Sequence, residues 1–331
     1  MMLRAQTRRR LLGAMAMSAT FAGTASGAAA SSRALRIGWL KGTNSLTLLK
    51  VRREPLARLS QAGVAVEWAG PFPASAPAVE AMNAGAIDVT VGSTTSSVVA
   101  LAAGAPMSLF TYQPLGPQGE AIIVRAADGI QTIEDLVGKR VAVNRGGTGE
   151  YLLRLAMRRY GLPEESITAV YLGPADAGNA FVQGAVAAWA IWDPWLTIAL
   201  TSYDARVLLD RTAIGSQNAI VTLVSNEFAA RDPEALHLLF DALLQANRWA
   251  MAHPEQAGAL WADVMGLPSA LGAPLGLHNA VPERGLTHAD LAPLEAIGRW
   301  YREAGVIDQV PDLSKAIIEL SPIQPTGPKH D

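Results

Sequence analysis

The stretch Ile87-Asp88-Val89-Thr90-Val91-Gly92-Ser93-Thr94-Thr95-Ser96-Ser97-Val98-Val99-Ala100-Leu101-Ala102-Ala103 changes character twice. Ile87–Val91 is short, apolar and rich in β-branched residues, the composition of a buried strand. Gly92 then frees the backbone, and Ser93 to Ser97 are all hydroxylic, the residues that cap helix starts. Small apolar residues carry a helix from Ser93 to Ala103. The stretch is therefore a strand delivered through a glycine and a cluster of hydroxyls into a helix.

The same alternation extends to both sides. Ala34–Leu40 reads as a strand, Leu46–Ala62 as a helix, Val64–Trp68 as a strand and Ala76–Ala84 as a helix. Met107–Tyr112 reads as a further strand. Strands alternating with helices of this length predict an α/β fold on a parallel sheet. A Pro/Gly cluster, Gln113-Pro114-Leu115-Gly116-Pro117-Gln118-Gly119, then marks a linker. A second set follows, with strands at Ala121–Val124, Arg140–Val143, Ile167–Tyr171, Ala187–Ile191 and Val207–Leu209. Its helices are Gly149–Tyr160, Asp176–Gln183 and Pro194–Tyr203. Residues 211–218 read as a return crossing, and Ala219–Val224 as a strand rejoining the first sheet. The chain is mostly helical from Asn226 onward. The expected organisation is one lobe of residues 33–114 and 217–331, with a second lobe of 115–216 inserted into it. Two crossings between two lobes make a hinge, and the cleft between them is lined by strand ends and helix N-termini.

Residues 1–30 read as a segment outside this fold. Arg4, Arg8, Arg9 and Arg10 precede the apolar run Leu11–Thr24, and Ala28-Ala29-Ala30 offers small residues for cleavage. That order is the pattern of an export signal. Thr7-Arg8-Arg9-Arg10-Leu11-Leu12 also has the form of a twin-arginine signal, although an arginine-rich general secretory signal accounts for the same residues. The formal net charge of the whole chain is −2, and this segment holds four arginines and no acid, so the remainder is more acidic still. An acidic chain without a basic run is a poor nucleic-acid binder. The sequence has no cysteine, which rules out disulfides, thiolate metal sites, cysteine nucleophiles and an N-terminal lipid on cysteine. The expected product is a soluble, untethered periplasmic monomer.

Three strand-to-helix junctions are polar and small. They are Val91-Gly92-Ser93-Thr94-Thr95, Val143-Asn144-Arg145-Gly146-Gly147-Thr148-Gly149-Glu150 and Ile191-Trp192-Asp193-Pro194-Trp195. Unpaired N–H groups at a helix start, together with the helix dipole, attract an anion. Flexible glycines let several N–H groups converge on one oxyanion, and Arg145 adds a charge-assisted bond. Ordinary capping explains the same hydroxyls without any ligand. Asp193 is expected to cap a helix beginning at Pro194. The second junction lacks the Gly-Lys-Ser/Thr ending of a phosphate loop. Trp192 is a candidate wall for an organic group, whereas Trp189 and Trp195 read as core.

Signatures of an enzyme are missing. The histidines are His237, His253, His278, His288 and His330, none in metalloprotease spacing, and no Gly-x-Ser-x-Gly elbow occurs. The histidines read as surface residues. Asp88, Glu120, Asp176 and Asp193 have no acid–base spacing and read as caps.

Several segments together resemble the periplasmic aliphatic sulfonate-binding proteins of ABC importers, with taurine- and nitrate-binding proteins as more distant relatives. They are Arg36-Ile37-Gly38-Trp39, Glu80-Ala81-Met82-Asn83-Ala84-Gly85-Ala86-Ile87-Asp88, Asp135-Leu136-Val137-Gly138-Lys139-Arg140-Val141-Ala142, Tyr171-Leu172-Gly173-Pro174-Ala175-Asp176-Ala177 and Trp189-Ala190-Ile191-Trp192-Asp193-Pro194-Trp195. The likeness covers roughly residues 35–320. It implies a two-lobed periplasmic-binding fold of the second topological type, no cofactor, no metal, no catalytic residue, and a membrane permease as partner. The residues expected at the ligand are Thr43, Asn44, Gly92, Ser93, Thr94, Thr95, Gln113, Arg145, Gly146, Gly147, Thr148, Glu150, Asp176, Trp192 and Asp193.

The sequence departs from that pattern at Leu40, Gly92-Ser93, Glu150 and Gly178, where the family more often has Gln, Gly-Asp, His or Tyr, and Arg. The identity of the ligand therefore stays open between an alkanesulfonate, taurine, nitrate and another small anion, including an aromatic sulfonate or carboxylate. Glu150 has two readings, a first-turn acid paired with Arg145 or Arg154, or a cleft-facing carboxylate that selects an amine. An enzyme on the same frame, related to pyrimidine-synthesising or desulfinating proteins, is disfavoured by the lack of cysteine and of any histidine before residue 237.

Overall fold

The computed structural model describes residues 33–323, so the segment read as an export signal, and His330, lie outside it. The chain opens with β1 (Arg33–Leu40), α1 (Ser45–Val51), a 3-10 turn at Glu54–Leu56, α2 (Ala57–Gln61), β2 (Val64–Phe72), α3 (Ser75–Asn83), β3 (Val89–Ser93), α4 (Thr94–Ala102) and β4 (Met107–Pro114). It continues with β5 (Glu120–Arg125), β6 (Arg140–Val143), α5 (Thr148–Arg159), β7 (Thr168–Tyr171), α6 (Pro174–Val182), β8 (Ala188–Trp192), α7 (Trp195–Ser202), β9 (Ala205–Asp210) and α8 (Arg211–Ile214). It closes with β10 (Ala219–Ser225), α9 (Asn226–Arg231), α10 (Pro233–Ala252), α11 (Pro254–Met265), α12 (Gly272–Asn279), β11 (Arg284–Gly285) and α13 (Leu291–Glu303).

Two sheets form, in the orders β11-β4-β10-β3-β1-β2 and β7-β6-β8-β5-β9. Neither is purely parallel, which corrects the expectation of a parallel sheet. β1, β2 and β3 run parallel, but β10 lies antiparallel between β3 and β4. Likewise β6, β7 and β8 run parallel, but β5 lies antiparallel between β8 and β9. The strands that break the pattern are the ones next to the two crossings. β5 follows the outgoing chain and β10 follows the returning one, so each enters its sheet from the opposite end.

Helices cover both faces of each sheet, and for that reason the strands read as unbroken apolar runs. The period of two divides them cleanly. Ile122 and Val124 face one core with Leu152, Leu153 and Ala156 of α5, while Ala121 and Ile123 face the other with Phe181 of α6 and Trp189. On the first sheet, α1, α10 and α11 cover one face, while α3, α4 and α13 cover the other.

The helix expected over Leu46–Ala62 is broken. α1 ends at Val51, and the chain restarts through a 3-10 turn with Pro55 in its first turn. A proline inside a continuous helix would lack an N–H for Val51 and crowd its carbonyl. The helix expected from Pro194 begins one residue later, at Trp195, with Pro194 itself in the cap position.

Candidate functional site

All three polar junctions meet at one cleft of about 460 Å³. Gly92, Ser93 and Ser96 come from the β3–α4 junction, Asn144 to Thr148 from β6–α5, and Trp192, Asp193 and Trp195 from β8–α7. The β1–α1 loop adds Lys41, Gly42, Thr43 and Asn44, and the crossings add Leu115, Gly119 and Asn218. Much of the remaining wall is apolar and small, from Val79, Val91, Val99 and Ala100.

The β6–α5 loop is braced from within. Asn144 Oδ1 accepts the N–H of Gly149 at 2.7 Å, and Glu150 Oε2 accepts the N–H of Gly146 at 2.7 Å. Gly146 takes a left-handed φ of +61°, which glycine adopts without the cost of a side chain. The N–H groups of Gly147 and Thr148 have no acceptor among the described residues. They sit at the N-terminus of the twelve-residue helix α5, where the dipole favours negative charge. The Arg145 guanidinium lies on the Tyr171 ring, 3.7 Å from its centroid, and is exposed. Among the described residues it has no carboxylate within salt-bridge distance.

The first junction satisfies itself. Ser93 and Ser96 form a reciprocal capping box, and Ser93 Oγ also meets Thr95 Oγ1 at 2.8 Å. At the third, Asp193 Oδ1 accepts both the N–H and the hydroxyl of Thr197. Its Oδ2 accepts the Asn279 amide at 2.8 Å. From one residue before the cap, Asp193 therefore ties down the first turn of α7, and its carboxylate is already engaged.

The cleft gathers Thr43, Asn44, Gly92, Ser93, Arg145, Gly146, Gly147, Thr148, Trp192 and Asp193. Five other expected residues stand outside its lining. Thr94 and Thr95 are buried beneath it. Gln113 is buried and turns its amide to the carbonyl of Val281. Asp176 is exposed on the first turn of α6, because Pro174, Ala177, Gly178 and Phe181 make the buried face of that helix. Glu150 is 3% exposed and accepts from Gly146, from Arg154 Nε at 3.0 Å and from the Tyr171 hydroxyl at 2.8 Å. It braces the loop, with both carboxylate oxygens engaged by protein donors, and one of these, Arg154, is the partner expected for a first-turn acid.

Other expectations change too. Trp195 lines the cleft as well as touching the core. His278 is half-buried against Asp193, and His237 is also half-buried, so neither is a plain surface residue. Asp88 is no cap. It takes the backbone N–H and the guanidinium of Arg36, fastening β1 beside β3. Glu120 is no cap either. It is fully buried, and burial raises its carboxyl above the ordinary range while Asn218, Ser216 and Arg211 pull it back. Gly178, one of the departures from the family pattern, packs on Trp189 and not on the cleft.

Sequence reading missed Asn144, Asn218, Asn279 and Lys41 as lining residues. Asn144 stands two residues before the glycine pair and was visible as a turn residue. Asn218 lies in a crossing with no motif, and Asn279 reaches the cleft only through tertiary packing.

α5 also reaches across to the first sheet. Tyr151 packs edge-on against Trp300 of α13 at 5.1 Å and joins that sheet's core. Burial pushes its hydroxyl up to about 12. Tyr301 donates to the Gly147 carbonyl at 3.3 Å. Among the described residues no helix is long and apolar enough to cross a membrane, and no group of three or more potential metal ligands is found.

Comparison with known proteins places this architecture. A family model described as NMT1/THI5 like matches residues 59–257. A relative from Escherichia coli strain K12, named for binding aliphatic sulfonates, is 35% identical over 242 residues, or 73% of this chain and 75% of its own. The crystal structure of the periplasmic aliphatic sulphonate binding protein from Escherichia coli superposes with a TM-score of 0.78 at 30% identity, covering 89% of this chain and 95% of that one. The alkanesulfonate-binding protein from Xanthomonas axonopodis pv. citri, bound to MOPS, superposes with a TM-score of 0.80 at 28% identity, covering 86% and 98%. Both neighbours carry the periplasmic binding fold that the sequence implied. The chain belongs to the NMT1/THI5-like family.

Proposed function

We propose that this chain is a periplasmic solute-binding protein that takes a small organosulfonate, of the alkanesulfonate type, into the cleft and delivers it to an ABC importer. The observation that carries the reading is the start of α5. There two unengaged N–H groups, the Thr148 hydroxyl and Arg145 border a cleft that is otherwise largely apolar. A sulfonate has three oxygens and stays anionic at any physiological pH, which suits fixed donors. The space argues against nitrate as the ligand. About 460 Å³ lined by Val79, Val91, Val99, Trp192 and Trp195 has room for an organic body as well as a head. The names of the relatives support the same class.

In this reading residues 1–30 direct export, and the chain works as a soluble monomer. Residues 33–114 with 217–331 form one lobe and 115–216 the other. The crossings at 113–119 and 211–218 are the hinge, and the closed form docks on the permease. No bond is made or broken in the ligand.

A thermal-shift screen over ethanesulfonate, taurine, aromatic sulfonates, nitrate and sulfate tests the ligand class, because a ligand that binds only the native state must raise its stability. Mass analysis of the bound fraction should recover the sulfonate intact at one per protein. Stabilisation by nitrate alone, or turnover of the sulfonate, would overturn the reading. Small-angle scattering should show a smaller radius of gyration at saturating ligand, and an unchanged radius would refute the hinge.

A further inference from the structure

The return crossing sets one side-chain amide against two of the helices that start at the cleft, α4 and α5. Asn218 is 2% exposed. Its Nδ2 donates to Glu120 Oε2 at 2.8 Å and to Thr148 Oγ1 at 3.1 Å. Its Oδ1 accepts the hydroxyl of Thr94 at 3.0 Å. A primary amide has two hydrogens to give, so both are committed. The backbone N–H of Thr95 also points at Oδ1, at 3.5 Å, so the amide cannot turn over without setting its NH2 against that N–H, and a buried polar group held so unfavourably is costly.

This orientation fixes the hydrogens of the two threonines. The N–H of Ala219 donates to Thr94 Oγ1 at 3.1 Å, so the Thr94 hydroxyl hydrogen goes to Asn218. Thr94 has nothing left to donate. Thr148 receives a hydrogen from Asn218 instead, and its own has no acceptor among the described residues. Thr148 lines the cleft beside the unengaged N–H groups of α5, and Thr94 does not line it.

We infer that Asn218 is the positioning residue of the binding site, which holds Thr148 as a hydrogen donor toward an anionic head group while Thr94 is spent inside the protein. The inference rests on the proposal that an anion is held at the start of α5. Asn218 itself stands on the crossing between the sheets, so the donor is set by the same residue that joins Glu120 of β5 to Thr94 of α4.

The test is a double-mutant cycle on the full-length protein, read by calorimetric titration with ethanesulfonate. Thr148→Val removes the donor, and Asn218→Leu removes the amide hydrogens that orient it without adding a charge beside the anion. Each change alone should weaken binding about tenfold, the loss of one hydrogen bond to a charged group. The pair together should be no more than about twofold weaker than Thr148→Val, since two residues acting through one hydrogen are not additive. Thr148→Ser, which keeps the hydroxyl, should bind like wild type when Asn218 is present and should lose about tenfold in the Asn218→Leu background. Should Asn218→Leu not fold, Asn218→Ser replaces it in the same cycle. Independent, multiplying losses would overturn the inference while leaving the sulfonate reading intact. If wild type ignores ethanesulfonate but binds sulfate or nitrate, the sulfonate reading fails and the cycle is decided with that anion. Binding of no anion at all would overturn both.

Discussion

Glu150 Oε2 accepts the backbone N–H of Gly146, four residues earlier in the chain, at 2.7 Å, so the first turn of α5 holds the loop that leads into it. The other oxygen, Oε1, is filled by Arg154 and Tyr171. Three donors converge on one carboxylate, and none of them belongs to a ligand.

Glu150→Gln should therefore act on the fold before it acts on selectivity. An amide offers one acceptor oxygen and turns an NH2 group toward a donor. The expected cost is about 1–3 kcal/mol of stability, the penalty for a buried unsatisfied polar group, visible as a lower melting temperature. Taurine and ethanesulfonate affinities should fall by the same factor. A loss confined to taurine would return the carboxylate to the cleft.

Gly147→Val should abolish the anion grip. A Cβ at this position would stand 2.0 Å from Asn144 Nδ2, and Asn144 cannot retreat without releasing the N–H of Gly149. Ligand affinity should drop at least about tenfold, with a stability cost of about 1–3 kcal/mol for the displaced side chain. Titration beside a melting curve separates the two effects. Undiminished affinity would place the head group elsewhere.

Arg145→Gln should do the reverse, sparing the fold and weakening the ligand. The guanidinium is exposed and rests on Tyr171, so its removal should change stability by less than about 0.5 kcal/mol. Affinity for a sulfonate should fall about tenfold at low salt and by less at high salt, because exposed charges are screened. Equal losses at both salt concentrations would argue against an electrostatic role.

Glu283 gives the protein a pH dependence of its own. Its Oε2 is buried without a hydrogen-bond partner, and burial raises its carboxyl above the usual range, opposed only by the hydroxyls of Ser45 and Thr111. The neighbouring cation, Arg284, is turned toward Asp290. With a raised folded value, the native state keeps a proton that the unfolded chain has released. Stability from this group is then lost as pH rises from the ordinary carboxylate range through the raised value. Melting temperatures measured between about pH 5 and 8 should fall less steeply for Glu283→Gln than for wild type. Parallel curves would show that Glu283 is not the group responsible.

The alternation of strands and helices was legible because both sheets are covered on both faces, which leaves short apolar runs separated by polar helix starts. The direction of β5 and β10 was not, since strand direction depends on where the chain enters the sheet and not on side chains. Within the site, the glycine pair at 146–147 and Asp193 could be read because helix starts and caps are local. Glu150 could be read in part, since its pairing with Arg154 lies one helical turn away, and Asn218 could not be read at all. The sequence shows an acid in a first turn and an amide in a linker, but their partners, Tyr171 and Glu120, are distant in the chain. Asp176 was misplaced for a related reason, because helical periodicity does not say which face of α6 meets its sheet.

The braces of the 144–150 loop, Asn144 to Gly149 and Glu150 to Gly146, are internal to it, whereas Val79, Val99 and Ala100 come from helices that follow other strands. Under the proposed function, holding the charged end and accommodating the carbon skeleton are thus written in separate parts of the gene. Substitutions in α3 and α4 can redraw the shape of the accepted skeleton without disturbing the anchor. Retargeting the protein to a new sulfonated compound then becomes a problem of wall design, with Val79, Val99 and Ala100 as its alphabet and Thr94 and the loop before α5 left untouched.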